Sequence, residues 1–201
     1  MKRFSSVMTR RGLAVALAIV VPLLTASCGN AVLQGRAPSY LVMDRLQGAS
    51  GAQPQAFSTF LESDVVTKGS VYEDPGQVTL HVAMKDTTST GPSSVNAITI
   101  ERVHVDYVRS DGRNVQGVDI PYSFDGAVTG TIGADTSSLV FVLVRAQAKV
   151  EAPLMALRTA GGALIISTIA HVTIYGHDQA GNSVSVSGSI TVSFADWADP
   201  T

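Results

Sequence analysis

Few residues in this 201-residue chain carry chemistry of their own, and they are scattered. There is one cysteine, Cys28, at the end of an apolar run near the N-terminus. A single thiol makes no intramolecular disulfide, so the fold must be held by its core, and a free thiol in an oxidising compartment is a liability. The four histidines, His81, His104, His171 and His177, show no helical i, i+4 pair and no His-x-x-x-His run, so no zinc site is expected. Asp178 and Asn182, and likewise Asp111 and Asn114, put oxygen ligands into loops and are the only calcium candidates. Neither loop has the alternating carboxylates that calcium loops use, and tight turns demand the same residue types. There is no Gly-x-Ser-x-Gly elbow and no second cysteine to act as a nucleophile. A Ser–His–Asp set assembled across strands stays open, because triads are recognised by geometry. Glu73 and Asp74 sit where a turn is expected, which explains them by solvation. Tyr107, Tyr122, Tyr175 and Trp197 are too dispersed to read as a sugar-binding shelf, and Trp197 is expected to pack over one end of the domain. The expectation is therefore no catalytic residue, no cofactor and no resident metal.

The elements that position these residues begin with a leader. Residues 1–12 are basic, and residues 13–24 are an apolar stretch of signal-peptide length, too short to span a bilayer and interrupted by Pro22. Leu24, Thr25, Ala26 and Ser27 lead into Cys28. This run resembles the lipobox of bacterial lipoprotein precursors, with Thr25 where leucine is commoner. The resemblance implies cleavage before Cys28 and a diacylglyceryl group on its sulfur, which also removes the free thiol. Several acyl chains, at about 0.8 kcal/mol per buried methylene, make such attachment stable. By the same resemblance Gly29, in place of Asp, leans toward the outer membrane. Thr9–Leu13 partly resembles a twin-arginine export signal, although Arg10 and Arg11 also serve as ordinary leader charges.

Residues 1–27 thus read as a signal peptide, 28–39 as a lipidated cysteine and flexible tether, and 40–201 as one domain. From residue 40 the apolar period is mostly two. Strands are expected at 40–46, 71–73, 77–85, 97–109, 118–124, 127–132, 139–144, 164–175 and 184–194, with 57–67 a turn and then a strand through Val65 and Val66. A phase slip between Ile100 and Val103 predicts a β-bulge or a change of sheet. Asp74-Pro75-Gly76 reads as a turn, Asp125-Gly126 as a hairpin turn, and 139–144, apolar on both parities, as a central strand. Residues 153–158 are the best helical stretch. In 184–194 the even-numbered apolar residues should face the core and the odd-numbered Ser and Thr the solvent; Gly188 marks a bulge or a close contact. The turn at 176–182 resembles the final hairpin of bacterial immunoglobulin-like modules. Together these predict an all-β fold, an immunoglobulin-like antiparallel β-sandwich without the antibody disulfide, with a closed barrel as the alternative.

All 16 acidic residues but only ten of the 14 basic ones follow Cys28, a balance of −6 with no basic cluster. That excludes a nucleic-acid partner and a basic membrane-binding face. What remains is an exported cell-envelope protein, held to a membrane through lipid on Cys28, whose domain binds a protein partner or serves as an assembly accessory. A small-ligand or glycan-binding lipoprotein is the second reading, and a hydrolase with an unrecognised site the third.

Overall fold

The computed structural model describes residues 35–86, 88, 91–197 and 199. The leader, the lipobox residues Leu24–Ser27 and Cys28 lie outside the described residues. A compact unit begins at Gly35. The expected tether therefore stops short of residue 39. The Gly35 carbonyl accepts a 2.7 Å bond from Lys85 Nζ, the Pro38 carbonyl accepts one from the Lys85 amide, and Ala37 is buried.

Eight strands form two sheets. They are β1 (Ser39–Gly48), β2 (Phe60–Asp64), β3 (Asp74–Met84), β4 (Ile98–Val108), β5 (Phe124–Ile132), β6 (Ser137–Val144), β7 (Ile166–Asp178) and β8 (Ser183–Ala195). The three-stranded sheet has the order β1-β3-β6, and the five-stranded sheet β2-β8-β7-β4-β5. This is the immunoglobulin arrangement: β3 and β6 pair as the second and fifth strands do, while β4, β7 and β8 form the opposite layer. Sheets this short with one apolar face each must bury those faces against one another, and that gives a two-layer core. One pair departs from the expected antiparallel pattern: β2 runs parallel to β8, Phe60 opposite Thr191 through Asp64 opposite Ala195.

The alternation read in the sequence sets the layers. Val78, Leu80 and Val82 of β3 and Ile98, Ile100, Val103 and Val105 of β4 are buried, as are Val172 and Ile174 of β7 and Ile190, Val192 and Phe194 of β8. Each such side chain contributes roughly 1.5–3 kcal/mol. Tyr107 of β4 is buried in their midst. It meets Phe194 edge-on with centroids 5.8 Å apart and donates its hydroxyl to the Leu143 carbonyl at 2.7 Å. It occupies the strand on which antibody domains carry their core tryptophan. The phase slip in β4 is a bulge: pairing with both β5 and β7 shifts between Ile100 and Arg102, and Glu101 and Arg102 are both exposed. Gly188 is a close contact rather than a bulge, since the β7–β8 register runs through it unbroken and a Cβ there would lie 2.3 Å from Met43 Sδ.

Several expectations are corrected. Asp125 and Gly126 are not a hairpin turn but lie inside β5, and 118–123 is loop, not strand. That loop is held by its own polar groups: the Asp119 carboxylate accepts from the Arg113 guanidinium and the Val115 amide. Asp74-Pro75-Gly76 opens β3 instead of turning, because the Phe141 ring lies over Gly76, 2.5 Å from where a Cβ would sit. Residues 71–73 are not a strand, and β2 ends at Asp64, before Val65 and Val66. Strand β6 is at a sheet edge, not the centre, with Val140 56% exposed. Between β6 and β7 lie a one-turn helix α1 (Ala146–Lys149), which periodicity missed, and a 3-10 turn (Leu154–Leu157) within the expected helical stretch. Among the described residues, no helix is long and apolar enough to cross a membrane.

Candidate functional site

The histidines are separated across the two sheets, each paired to a neighbouring strand. His81 Nδ1 lies 2.8 Å from Asp44 Oδ2, His104 Nδ1 3.1 Å from Asp125 Oδ1, His177 Nδ1 2.9 Å from Glu101 Oε1 and His171 Nδ1 2.9 Å from Ser189 Oγ. Among the described residues no three His, Cys, Asp or Glu side chains gather as metal ligands. The Asp178 carboxylate is taken up by its own turn: Oδ1 accepts from the Ala180 and Asn182 amides, Oδ2 from the Asn182 side chain at 2.8 Å. These bonds, that of Asn182 foremost, hold its pKa below the usual carboxylate value. Asp111 and Asn114 are likewise spent on the Arg109 side chain and on the Arg109 and Arg113 amides.

The outer face of the five-stranded sheet is mostly polar, with Phe60 of β2 and Ile169 of β7 exposed among its polar side chains. Odd-numbered hydroxyls of β8 meet β7 in a ladder, with Ser187 bonded to Thr173 at 2.9 Å and Ser193 to Ser167 at 3.2 Å. The Ser189–His171 pair belongs to this ladder, and Asp106 of β4 is the register neighbour of His171. A serine, a histidine and an aspartate thus stand in one row across three strands. The row lies on an exposed sheet face, and the Asp106 carboxylate makes no hydrogen bond to the imidazole, so nothing orients the histidine as a base. Beside the β4 bulge is a hollow of about 340 Å³ lined by Glu101, Arg102, Tyr175, Ser183 and Ser185. Arg102 closes over one face of Tyr175 at 4.0 Å and also pairs with Asp125.

A different signal comes from the end of the sandwich where β2, β4, β6 and β8 finish. Ser63, Asp64, Thr67, Asp74, Lys149 and Thr168 are buried there. Most are fully engaged: Asp64 accepts from the Thr67 hydroxyl and the Trp197 amide, and Thr168 donates to the Val192 carbonyl. Among the described residues, four buried nitrogens at this end have no hydrogen-bond partner. They are Nε of Arg145, Nε and Nη2 of Arg158 and Nε1 of Trp197. All are donors, and a buried donor left unpaired costs about 1–3 kcal/mol. The connections at the same end carry exposed apolar side chains: Val115, Val118 and Tyr122 after β4, and Val150, Met155, Leu164 and Ile165 between β6 and β7. Arg145 is held against the Phe124 ring, 4.5 Å from its centroid. Unpaired Arg and Trp donors ringed by exposed apolar groups have the composition of an interface core. Trp197 does pack at one end, as its place after the last strand implied. Arg145 and Arg158 went unnoticed because nothing in sequence marks an arginine that lacks a carboxylate partner.

No family model matches the chain, and no curated protein matches it. Among solved structures it is similar to the sporulation control protein Spo0M of Bacillus subtilis, at 14% identity and a TM-score of 0.28. That match covers 77% of this chain and 48% of the other, so the chain spans about half the length of that protein.

Proposed function

We propose that this chain is a lipid-anchored cell-envelope protein whose immunoglobulin-like sandwich is a non-catalytic module that binds a protein partner at the end bearing Arg145, Arg158 and Trp197. The observation that supports this reading is the set of unanswered buried donors among exposed apolar side chains. A partner offering carbonyl or carboxylate oxygens would satisfy the donors, and its apolar groups would cover Met155 and Ile165. The anchor would be lipid on Cys28, exposing the module at the membrane surface of the envelope.

A photo-crosslinking residue at Met155, 54% exposed, tests the surface in intact cells. A discrete protein adduct from this position, absent when the same residue replaces Ser187 on the polar sheet face, is expected. Equal adducts from both positions, or none from Met155, would overturn the assignment. Labelling with a fatty-acid analogue tests the anchor: Cys28→Ser should lose the label, and equal label in both proteins would sink the lipobox reading.

Glycan binding is the second reading, supported by the hollow that joins Tyr175 to Glu101, Arg102 and two serines. Under that reading Tyr175→Ala abolishes binding to envelope glycans, and crosslinks arise from Ser185 rather than Met155.

A further inference from the structure

Asp74 and Lys149 meet in the interior, with side chains 0% and 1% exposed and Lys149 Nζ 2.8 Å from Asp74 Oδ1. They are 75 positions apart in sequence. Asp74 opens β3, and Lys149 closes α1. Around the carboxyl group the Gly51 amide donates to Oδ1 at 2.8 Å and the Ser63 hydroxyl to Oδ2 at 2.6 Å. Lys149 is less well provided. An ammonium has three N–H groups, and among the described residues only Asp74 accepts from it.

An ion pair of this kind is a poor use of two charges. Removing both from water costs several kcal/mol each, and their attraction repays that only when the remaining hydrogen-bonding groups are satisfied. Here two N–H groups of the cation are not. Burial pushes the Asp74 carboxyl pKa up, against the lowering effect of Lys149, and transfer of one proton across the 2.8 Å contact gives the neutral acid beside the neutral amine. Those neutral forms are the reactants of amide condensation. In water the reaction is opposed by hydration of the ions, and this site has lost that hydration.

We propose that Lys149 Nζ and Asp74 Cγ are joined by an intramolecular isopeptide bond, formed after folding. The amine lone pair adds to Cγ. Oδ1 is retained as the carbonyl oxygen, its developing charge met by the Gly51 N–H, in the manner of an oxyanion donor. The Cγ–Oδ2 bond breaks on the side where Ser63 donates. That oxygen leaves as water, carrying the carboxyl hydrogen and one amine hydrogen, and the other amine hydrogen stays on the amide nitrogen. Nothing is oxidised or reduced. The bond ties the start of β3 to the helical connection after β6, a covalent link in a chain that has no cysteine pair to make one.

The full-chain protein, isolated, denatured and digested with trypsin, decides the matter by mass. The expected major species is a branched peptide joining residues 69–85 to residues 146–158, uncleaved after Lys149 and one water lighter than its two parts. Free 146–149 and 150–158 peptides of unmodified mass as the major products would overturn the bond. Lys149→Arg keeps the charge but cannot form this amide. It should abolish the branched species, and persistence of that species in the variant would equally overturn the assignment.

Discussion

Ile190 and Ser189 are adjacent on β8 and should respond oppositely to substitution. Ile190 is 3% exposed. It reaches across the sandwich toward β1, where a Cβ on Gly48 would lie 3.5 Å from its Cδ1 and 2.9 Å from Leu143 Cδ2. The space it fills is bounded by backbone and by a second tightly held side chain, so it has little freedom to collapse. Cutting a buried isoleucine back toward alanine size costs about 2–5 kcal/mol, and a hydroxyl stranded there adds about 1–3 kcal/mol. Ile190→Ser should therefore cost about 3 kcal/mol or more, a large share of a domain's stability. Ser189 faces outward, and Ser189→Lys gives up its hydrogen bond to His171 on an exposed face, a loss of about 1 kcal/mol or less. Urea unfolding followed by circular dichroism measures both, provided the denaturant slope is unchanged. The comparison is internal, so absolute stability does not enter. Equal losses would mean that β8 is covered on both faces, and the two-layer architecture would have to be abandoned.

Two further perturbations probe backbone contacts and ionisation. Gly76→Ala drives a Cβ to 2.5 Å from the Phe141 ring and should cost about 1–3 kcal/mol by overpacking, whereas Gly133→Ala meets nothing within 4 Å and should be neutral or slightly stabilising in thermal melts; similar melting temperatures would refute the contact. The Asp178 pKa is depressed below its ordinary 3.8, so the stability it lends is complete above that value and disappears as pH falls through the lower, folded-state pKa. Asn182→Ala removes the donor to Oδ2, so carboxyl-carbon NMR should show the Asp178 pKa rising toward its ordinary value, and the acid side of the urea-midpoint profile should become shallower. An unmoved pKa would show that the side-chain bond is not the cause.

Period-two alternation made the layers legible. It placed β3 and β8 with the correct faces, and the broken phase of β4 marked the bulge that turns both Glu101 and Arg102 outward. Glycine next to an acidic or proline residue misled, because that chemistry serves more than turns. At Gly76 it makes room for a ring, and at Gly126 a Cβ would stand 3.1 Å from Val103 Cγ1. The apolar run in β6 looked central because both parities are aliphatic, yet Val140 faces solvent at an edge; edge position depends on which strands are missing, which no local pattern records. The candidate site was legible only at Trp197. Its arginines and the Asp74–Lys149 contact depend on partners far away in sequence.

The parallel pairing of β2 with β8 has a mechanical consequence. β1 begins at the end of the sandwich opposite that at which β8 finishes, since Ser39 pairs with Met84 while Asp64 pairs with Ala195. Tension drawn between these two places runs along β2 and β8 in opposite senses and loads their five register pairs in shear, all at once. An antiparallel strand pulled from its turn would instead unzip one pair after another. Resistance to pulling is governed by the unfolding rate rather than by equilibrium stability, so these five pairs add to the β1–β3 ladder, which the same tension loads first, and the short strand contributes to that resistance out of proportion to the area it buries.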